Sequence, residues 1–380
     1  MTIAVHIDLT DQQNDHTANF NYTCFSILAA GNPGHHFIFI FDRPFETPLI
    51  TEKNITPVLI GPQIKNRLLQ HYFYNFKIPR VLNKYHADFF ISTDTCSLRT
   101  TVPQCLIIHD LSFFQKNNLF AKSDVRYLKR YTKFFIKKSA LVIVLNAELK
   151  KTLVGLFPAA ENKISVTGIG IDDTFSPIGY DKADAVREQL TEGKQYFVFF
   201  ATETSVANII TMLKSFSIFK KWQKSNMQLL ILSSATQNKN MVKELSNYKY
   251  RGDVAIIPFE NTETTATFLA AAYAAIHLPC MEITETEGLH TLACAVPLIT
   301  TDTDFSKSIY KDGALYAATN EKEISEKMML LYKDEKLRNA QVQKGNAIAA
   351  THRWQNSAAD VWRTLQPDKE LTLQKISSYL

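Results

Sequence analysis

Short runs of residues that are apolar at almost every position recur along the sequence, separated by longer stretches with helical spacing. Strands buried on both faces read this way, and their alternation with helices is the mark of parallel sheets covered by helices on each side. In the first half the spacing predicts strands over Ile3–Ile7, His36–Phe41, Phe89–Ser92, Gln104–His109 and Leu141–Leu145. Helices are predicted near Phe20–Ala30, Lys65–Asn75 and Ser123–Lys138. A turn-rich stretch from Gly168 to Gly179 and a polar helix around Lys182–Leu190 precede a second series. Its strands are predicted at Tyr196–Phe200, Gln228–Leu232, Val254–Ile257, Ala274–Leu278, Leu298–Thr300 and Leu315–Ala317, with helices near Val206–Lys221, Thr264–Tyr273 and Glu321–Tyr332.

A chain of 380 residues exceeds what one hydrophobic core usually supports. The expectation is two Rossmann-like, doubly wound domains, residues 1–178 and 179–351, facing across a cleft. Residues 352–380, with Trp354 and Trp362, would return to the first domain as a helix. In such sheets ligands sit at the carboxyl ends of the strands. A net charge of +5 is mild and far from a nucleic-acid-binding signature. The five cysteines are scattered with no CxxC pair, as expected of reduced thiols in a cytoplasm. The opening residues lack the basic and long apolar regions of a signal peptide, and no stretch reaches the roughly 18–20 apolar residues that span a bilayer.

His109 and Asp110 follow the apolar run Cys105–Ile108 and so emerge at a strand's carboxyl end. A His beside a carboxylate can bond sugar hydroxyls or stabilise positive charge developing at a sugar carbon; it can equally be a structural pair capping the next helix. Asp302-Thr303-Asp304 has the form of a metal-holding Asp-x-Asp, but its place after a strand favours a loop or helix-cap role. His35, His36 and Asp42 lack a third ligand at metal spacing, so no metal is expected. Gly168-Ile-Gly170 lacks the third glycine of a dinucleotide fingerprint, and no G-x-S-x-G or Walker loop is present. The run Lys129-Arg130, Lys133, Lys137-Lys138 reads as a solvated helix face, or as a contact for anionic lipid or polysaccharide.

Taken in order, these segments resemble the retaining GT-B glycosyltransferases of family four. The likeness runs through His36–Pro44, Asn54–Pro57, Gly61-Pro62, Ala87–Ser92, Val102-Pro103 and Ile107–Phe113. It continues through Lys163–Val166, Phe175–Pro177, Gly193–Phe199 and Pro297–Ile299. The resemblance implies a GT-B fold, no cofactor, a nucleotide-diphosphate sugar as donor and a glycan or lipid-linked acceptor in polysaccharide biosynthesis. It implies His109, Asp110 and Glu282 as catalytic residues, and Thr202, Thr204, Asn208, Glu287 and His290 as substrate-binding residues.

The sequence also departs from the family pattern. The family carries a Gly-Arg after the first strand of its second domain and a Lys-Asn five residues later, gripping the donor diphosphate. Here Thr202 stands at the Arg position and Ala207 at the Lys position. A hydrogen bond to a charged group contributes about 1.5–3 kcal/mol, so losing two weakens binding by roughly a hundred- to ten-thousand-fold. A helix beginning near Val206 would still present N–H groups to an anion. The family's paired glutamates fall on Glu282 and His290, with Ile283-Thr284-Glu285 where Gly-Phe-Gly is usual. A one-residue shift would give Glu287 the donor contact, and a solvated acidic loop is the plain alternative. Asp15–Asn21 stands where a glycine-rich acceptor loop is expected. Two functions follow: an active glycosyltransferase, cytoplasmic or peripheral to the inner face of an anionic membrane, or a catalytically silent homologue acting as a binding or assembly partner.

Overall fold

The structure is a computed structural model that describes residues 1–8, 16–44, 52–114, 122–201, 206–233, 239–258, 262–279 and 286–366. The chain divides into two compact units, Met1–Gly170 with the segment from Trp354 onward, and Ile171–Arg353.

The first unit is a seven-stranded parallel sheet ordered β3-β2-β1-β4-β5-β6-β7. Its strands are β1 (Thr2–His6), β2 (His36–Phe41), β3 (Ile55–Leu59), β4 (Phe89–Thr93), β5 (Gln104–Ile108), β6 (Leu141–Val144) and β7 (Ile164–Val166). Helices α1 (His16–Gly31), α2 (Arg67–Tyr72), α3 (Ile78–Lys84), α4 (Lys122–Lys138) and α5 (Ala147–Leu156) connect them. A π-helical turn, Phe73–Lys77, joins α2 to α3. Phe37, Phe39, Phe41 and Phe90 are fully buried, each contributing about 1.5–3 kcal/mol of apolar burial.

The second unit repeats the plan as a six-stranded parallel sheet, β10-β9-β8-β11-β12-β13. These are β8 (Tyr196–Ala201), β9 (Gln228–Ser233), β10 (Val254–Pro258), β11 (Ala274–His277), β12 (Leu298–Thr301) and β13 (Ala314–Ala317). The helices are α6 (Tyr180–Thr191), α7 (Val206–Gln223), α8 (Lys239–Ser246), α9 (Thr262–Ala270), α10 (Thr286–Ala293), α11 (Asp304–Tyr310), α12 (Glu321–Lys333) and α13 (Glu335–Ala349). Phe197, Phe199, Phe216, Phe219 and Met328 form the core between this sheet and the helices α7 and α12.

The closing helix α14 (Trp354–Leu365) belongs to the first unit. It packs on α1, with Trp354 against Phe20 at 5.8 Å and the Ser357 hydroxyl donating to the Gly168 carbonyl at 2.8 Å. Gly170 has to be glycine at this point, because a Cβ there would fall on the Trp354 ring. The chain passes between the units at 170–171 and again at 353–354, and Ile171 bridges to Arg353 beside the crossings.

The predicted strands are all present, each shifted by no more than two residues at an end. Edge strands β3 and β7 and helices α5, α8, α10, α11 and α13 add to the predicted set. Two expectations change. The stretch expected as a loop at Asp15–Asn21 is helical from His16, because α1 starts four residues earlier than its apolar spacing indicated. The Lys65–Asn75 helix is instead α2 and α3 in continuous succession, with Asn66 capping the Leu69 N–H and the π turn placing Phe73, Tyr74 and Asn75 inward.

Candidate functional site

Both sheets share the 3-2-1-4 order in which the chain reverses its winding direction beside the first strand. Crevices for ligands open at the carboxyl ends of the strands at that reversal. In the first unit this lies between β1 and β4, and in the second between β8 and β11.

In the first unit, His109 directly follows β5 and is 2% exposed. Its neighbouring carboxylate is not Asp110. Both oxygens of Asp110 serve the short turn behind it, taking the Ser112 N–H at 2.6 Å and the Ser112 hydroxyl at 2.9 Å. The carboxylate that faces His109 comes from Asp94, at the end of the adjacent strand β4. Asp94 Oδ1 accepts the His109 backbone N–H at 3.0 Å, and Oδ2 lies 3.8 Å from His109 Nδ1. Asp94 adopts φ of +52°, a left-handed conformation that costs a non-glycine residue energy, though aspartate tolerates it better than most. The imidazole also packs against the Phe20 ring in a T-shaped arrangement, with ring centroids 5.8 Å apart. A buried imidazole with an oriented carboxylate beside it can hold a defined proton position and offer a hydrogen bond to a hydroxyl group.

Next to this pair the end of β1 contributes His6, which sequence reasoning did not single out. It is 2% exposed, its Nδ1 bonds the Tyr74 hydroxyl at 3.0 Å, and its Nε2 has no hydrogen-bond partner among the described residues. Burial pulls the His6 pKa down, against the opposing pull of Asp8 and Asp42. Burial pushes the Tyr74 hydroxyl well above its usual range, and Asp8, Asp94 and Asp42 act in the same direction. Asn21 on α1 ties this edge together, donating to the His6 carbonyl at 3.1 Å and to the Thr93 hydroxyl at 2.8 Å. The signal for these residues was available in principle: His6 and Thr93 are polar and stand at the carboxyl ends of apolar strands.

In the second unit, Asn208 lies in the first turn of α7 and donates to the Leu278 carbonyl at 2.7 Å, just beyond β11. The bond clasps the helix start to the reversal point of the sheet. Glu287 and His290 stand on α10 rather than in a loop. Thr286 begins this helix, and Glu287 lies in its first turn, where the helix dipole favours a carboxylate. His290 is buried and stacks face to face on Phe175, with ring centroids 3.7 Å apart and 3° between planes. Gly288 permits the approach of Tyr310, whose hydroxyl would overlap a Cβ at that position. Glu282, Thr202 and Thr204 lie outside the described residues. Also unanticipated is a row across the sheet: Phe200, His277 and Thr300 occupy matched positions on β8, β11 and β12. Among the described residues, neither ring nitrogen of His277 nor the Thr300 hydroxyl has a hydrogen-bond partner.

The Asp302 region takes the cap role. Thr303 caps α11 by accepting the Ser306 N–H at 3.1 Å, and Asp302 pairs with Lys307. Among the described residues no group of three His, Cys, Asp or Glu is arranged to hold a metal ion.

Two doubly wound α/β units with these strand orders define the GT-B class of glycosyltransferase folds. The structure is similar over nearly its whole length to three solved proteins of different description. WaaG, described as a glycosyltransferase involved in lipopolysaccharide biosynthesis, has 12% identity and a TM-score of 0.71, covering 95% of this chain and 98% of that one. HepE from Anabaena, solved with UDP and glucose, has 12% identity and a TM-score of 0.69, covering 96% and 99%. Sucrose-phosphate synthase from Thermosynechococcus elongatus has 12% identity and a TM-score of 0.71, covering 98% and 99%. At such identities the likeness establishes the fold. The family comes from the sequence itself: residues 181–347 match Glycosyl transferases group 1, so the second unit is a group 1 glycosyltransferase domain. No curated protein matches the chain.

Proposed function

We propose that the protein transfers a sugar, with retention, from a nucleotide-diphosphate donor to a glycan or lipid-linked acceptor. The second unit takes the donor side and the first unit the acceptor side. The observation that carries this reading is the His109–Asp94 pair at the carboxyl end of β5, on a chain whose other unit is a group 1 glycosyltransferase domain. His109, oriented by Asp94, contacts the transferred sugar, while Asp110 shapes the turn that follows. In the second unit the start of α7 offers backbone N–H groups to the diphosphate, and Asn208 fixes that start in place. Glu282, Thr202, Thr204, Glu287 and His290 complete the donor side. HepE, solved with UDP and glucose, supports a donor of this kind on a fold of this kind. A cytoplasmic location, with peripheral contact at an anionic membrane face, accompanies the reading.

A specific observation favours the second reading, a silent homologue. Asn208 and His290 are already engaged, by Leu278 and Phe175, and the diphosphate-gripping cations are replaced by Thr202 and Ala207. Calorimetry with a panel of UDP- and GDP-sugars, followed by a donor-turnover assay, separates the two. The active reading expects binding, turnover, and a loss of roughly a hundred-fold or more in kcat in His109→Gln, the scale of removing one positioned donor to a developing charge. No binding at millimolar donor removes it. The silent reading expects Thr202→Arg with Ala207→Lys to tighten nucleotide binding by roughly a hundred-fold or more without turnover.

A further inference from the structure

In the second unit the connections leaving β8, β11 and β12, residues 202–205, 278–285 and 302–303, contain no Lys or Arg. Lys307 on α11 is taken by Asp302. A diphosphate held at this edge therefore needs neutral hydrogen-bond donors where cations would otherwise serve. Two stand at the reversal point of the sheet. His277 ends β11 and lies opposite Thr300 of β12 on one side and Phe200 of β8 on the other. His277 is 6% exposed and Thr300 is fully buried. Among the described residues, neither His277 nitrogen nor the Thr300 hydroxyl has a hydrogen-bond partner. A neutral imidazole keeps one N–H and a hydroxyl keeps one O–H, so two buried donors are left over. Buried polar groups in native proteins are bonded to protein, to water or to a ligand. Phe200 packs against the imidazole in a T-shaped arrangement, with centroids 5.8 Å apart, and steadies the ring.

Side chains alternate between the two faces of a strand. Ile276, Leu278 and Ile299 pack into the core shared with α7 and α12, so His277 and Thr300 face the opposite side, where α10 packs on β11 and β12. The helix α10 begins at Thr286, and a helix start favours negative charge. The start of α7 is clasped to the same place, because Asn208 donates to the carbonyl of Leu278, the residue after His277. Glu287, in the first turn of α10, opposes an anion, and its carboxylate is partly met locally by the Thr286 hydroxyl at 3.3 Å. Two unbonded donors beside two helix starts suit a ligand rich in acceptor oxygens, which a diphosphate is.

We propose that His277 and Thr300 bind the donor diphosphate, their N–H and O–H groups standing in for the two cations that Thr202 and Ala207 replace. This rests on the donor reading given under Proposed function. Calorimetry of the full chain with UDP, GDP and ADP identifies the nucleotide bound most tightly, and the matching nucleoside serves as control. His277→Leu and Thr300→Val are each expected to weaken that nucleotide by roughly ten- to a hundred-fold, the scale of one hydrogen bond to a charged group. Affinity for the nucleoside stays unchanged, and Thr300→Ser, which keeps the hydroxyl, binds as the wild type does. Without nucleotide, Thr300→Val is expected to melt no lower than the wild type, because it removes a hydroxyl that bonds nothing. A lower melting temperature with undiminished nucleotide affinity shows a hydroxyl bonded to internal water and overturns the proposal. Equal loss of nucleoside and nucleotide affinity overturns it too, since the contact is then not with phosphate. Nucleotide binding that neither variant changes overturns the proposal and leaves the donor reading intact, whereas a wild type that binds none of the three nucleotides ends both.

Discussion

Two histidines illustrate how burial governs single residues here. His6 and His352 are both pulled below the usual imidazole pKa, burial being the largest cause in each; at His352 a hydrogen bond to Ile348 opposes it. A group whose folded pKa is depressed stays neutral in the native state while the unfolded chain binds its proton near about 6.5. The stability it supports is therefore complete above that pH and is lost as pH falls towards the folded pKa. Urea midpoints should be level above about pH 7 and decline below about 6.5, and His6→Gln should flatten part of that decline. A decline of unchanged size in the variant would show that His6 does not carry it. His109 is governed by geometry instead, because Asp94 rather than its sequence neighbour sets its orientation.

At the scale of elements, α10 shows a local preference and a tertiary demand in opposition. Gly288 inside a helix is about 1 kcal/mol less favourable than Ala, so local propensity alone argues for replacement. A Cβ there would overlap the Tyr310 hydroxyl, and overpacking of this kind costs about 1–3 kcal/mol. Overpacking outweighs propensity, and the glycine stays. Gly288→Ala is expected to lower the melting temperature despite its better helix propensity, and a rise would show that Tyr310 can move aside. The N-terminus of α12 shows the opposite case, where local chemistry suffices. Asn320 accepts the Glu323 N–H at 2.9 Å, and Glu323 takes the Asn320 amide at 3.0 Å and the Ala318 N–H at 2.8 Å. Those bonds hold the Glu323 carboxyl below its usual range.

At the scale of the whole molecule, the return of the chain to its first unit is the organising event. The helix α14 buries Ala358, Val361 and Leu365 and sets Trp354 against Phe20, which in turn braces His109. Removing several buried apolar side chains at about 1.5–3 kcal/mol each approaches the whole stability of a typical domain. A chain ending at Arg353 is expected to lose hydrogen-exchange protection through α1, β1 and β5 while Ile171–Arg353 keeps its own. Equal loss in both units, measured by mass spectrometry, would refute that division.

How far the sequence reaches follows from where each residue's free energy is set. Strands buried on both faces announce themselves, since every position must be apolar: β2, β5, β8 and β9 could be read directly, and with them the parallel α/β class. Edge strands β3 and β7 escaped notice because each is short and fully buries only its first residue. The helix α10 was hidden by its glycine and acidic start, and the partner of His109 by distance along the chain. Fifteen residues separate Asp94 from His109, and the pairing of β4 with β5 alone brings them together. Periodicity and burial are properties of a segment and survive in the sequence. Which carboxylate meets which imidazole depends on strand register, which only the tertiary structure decides.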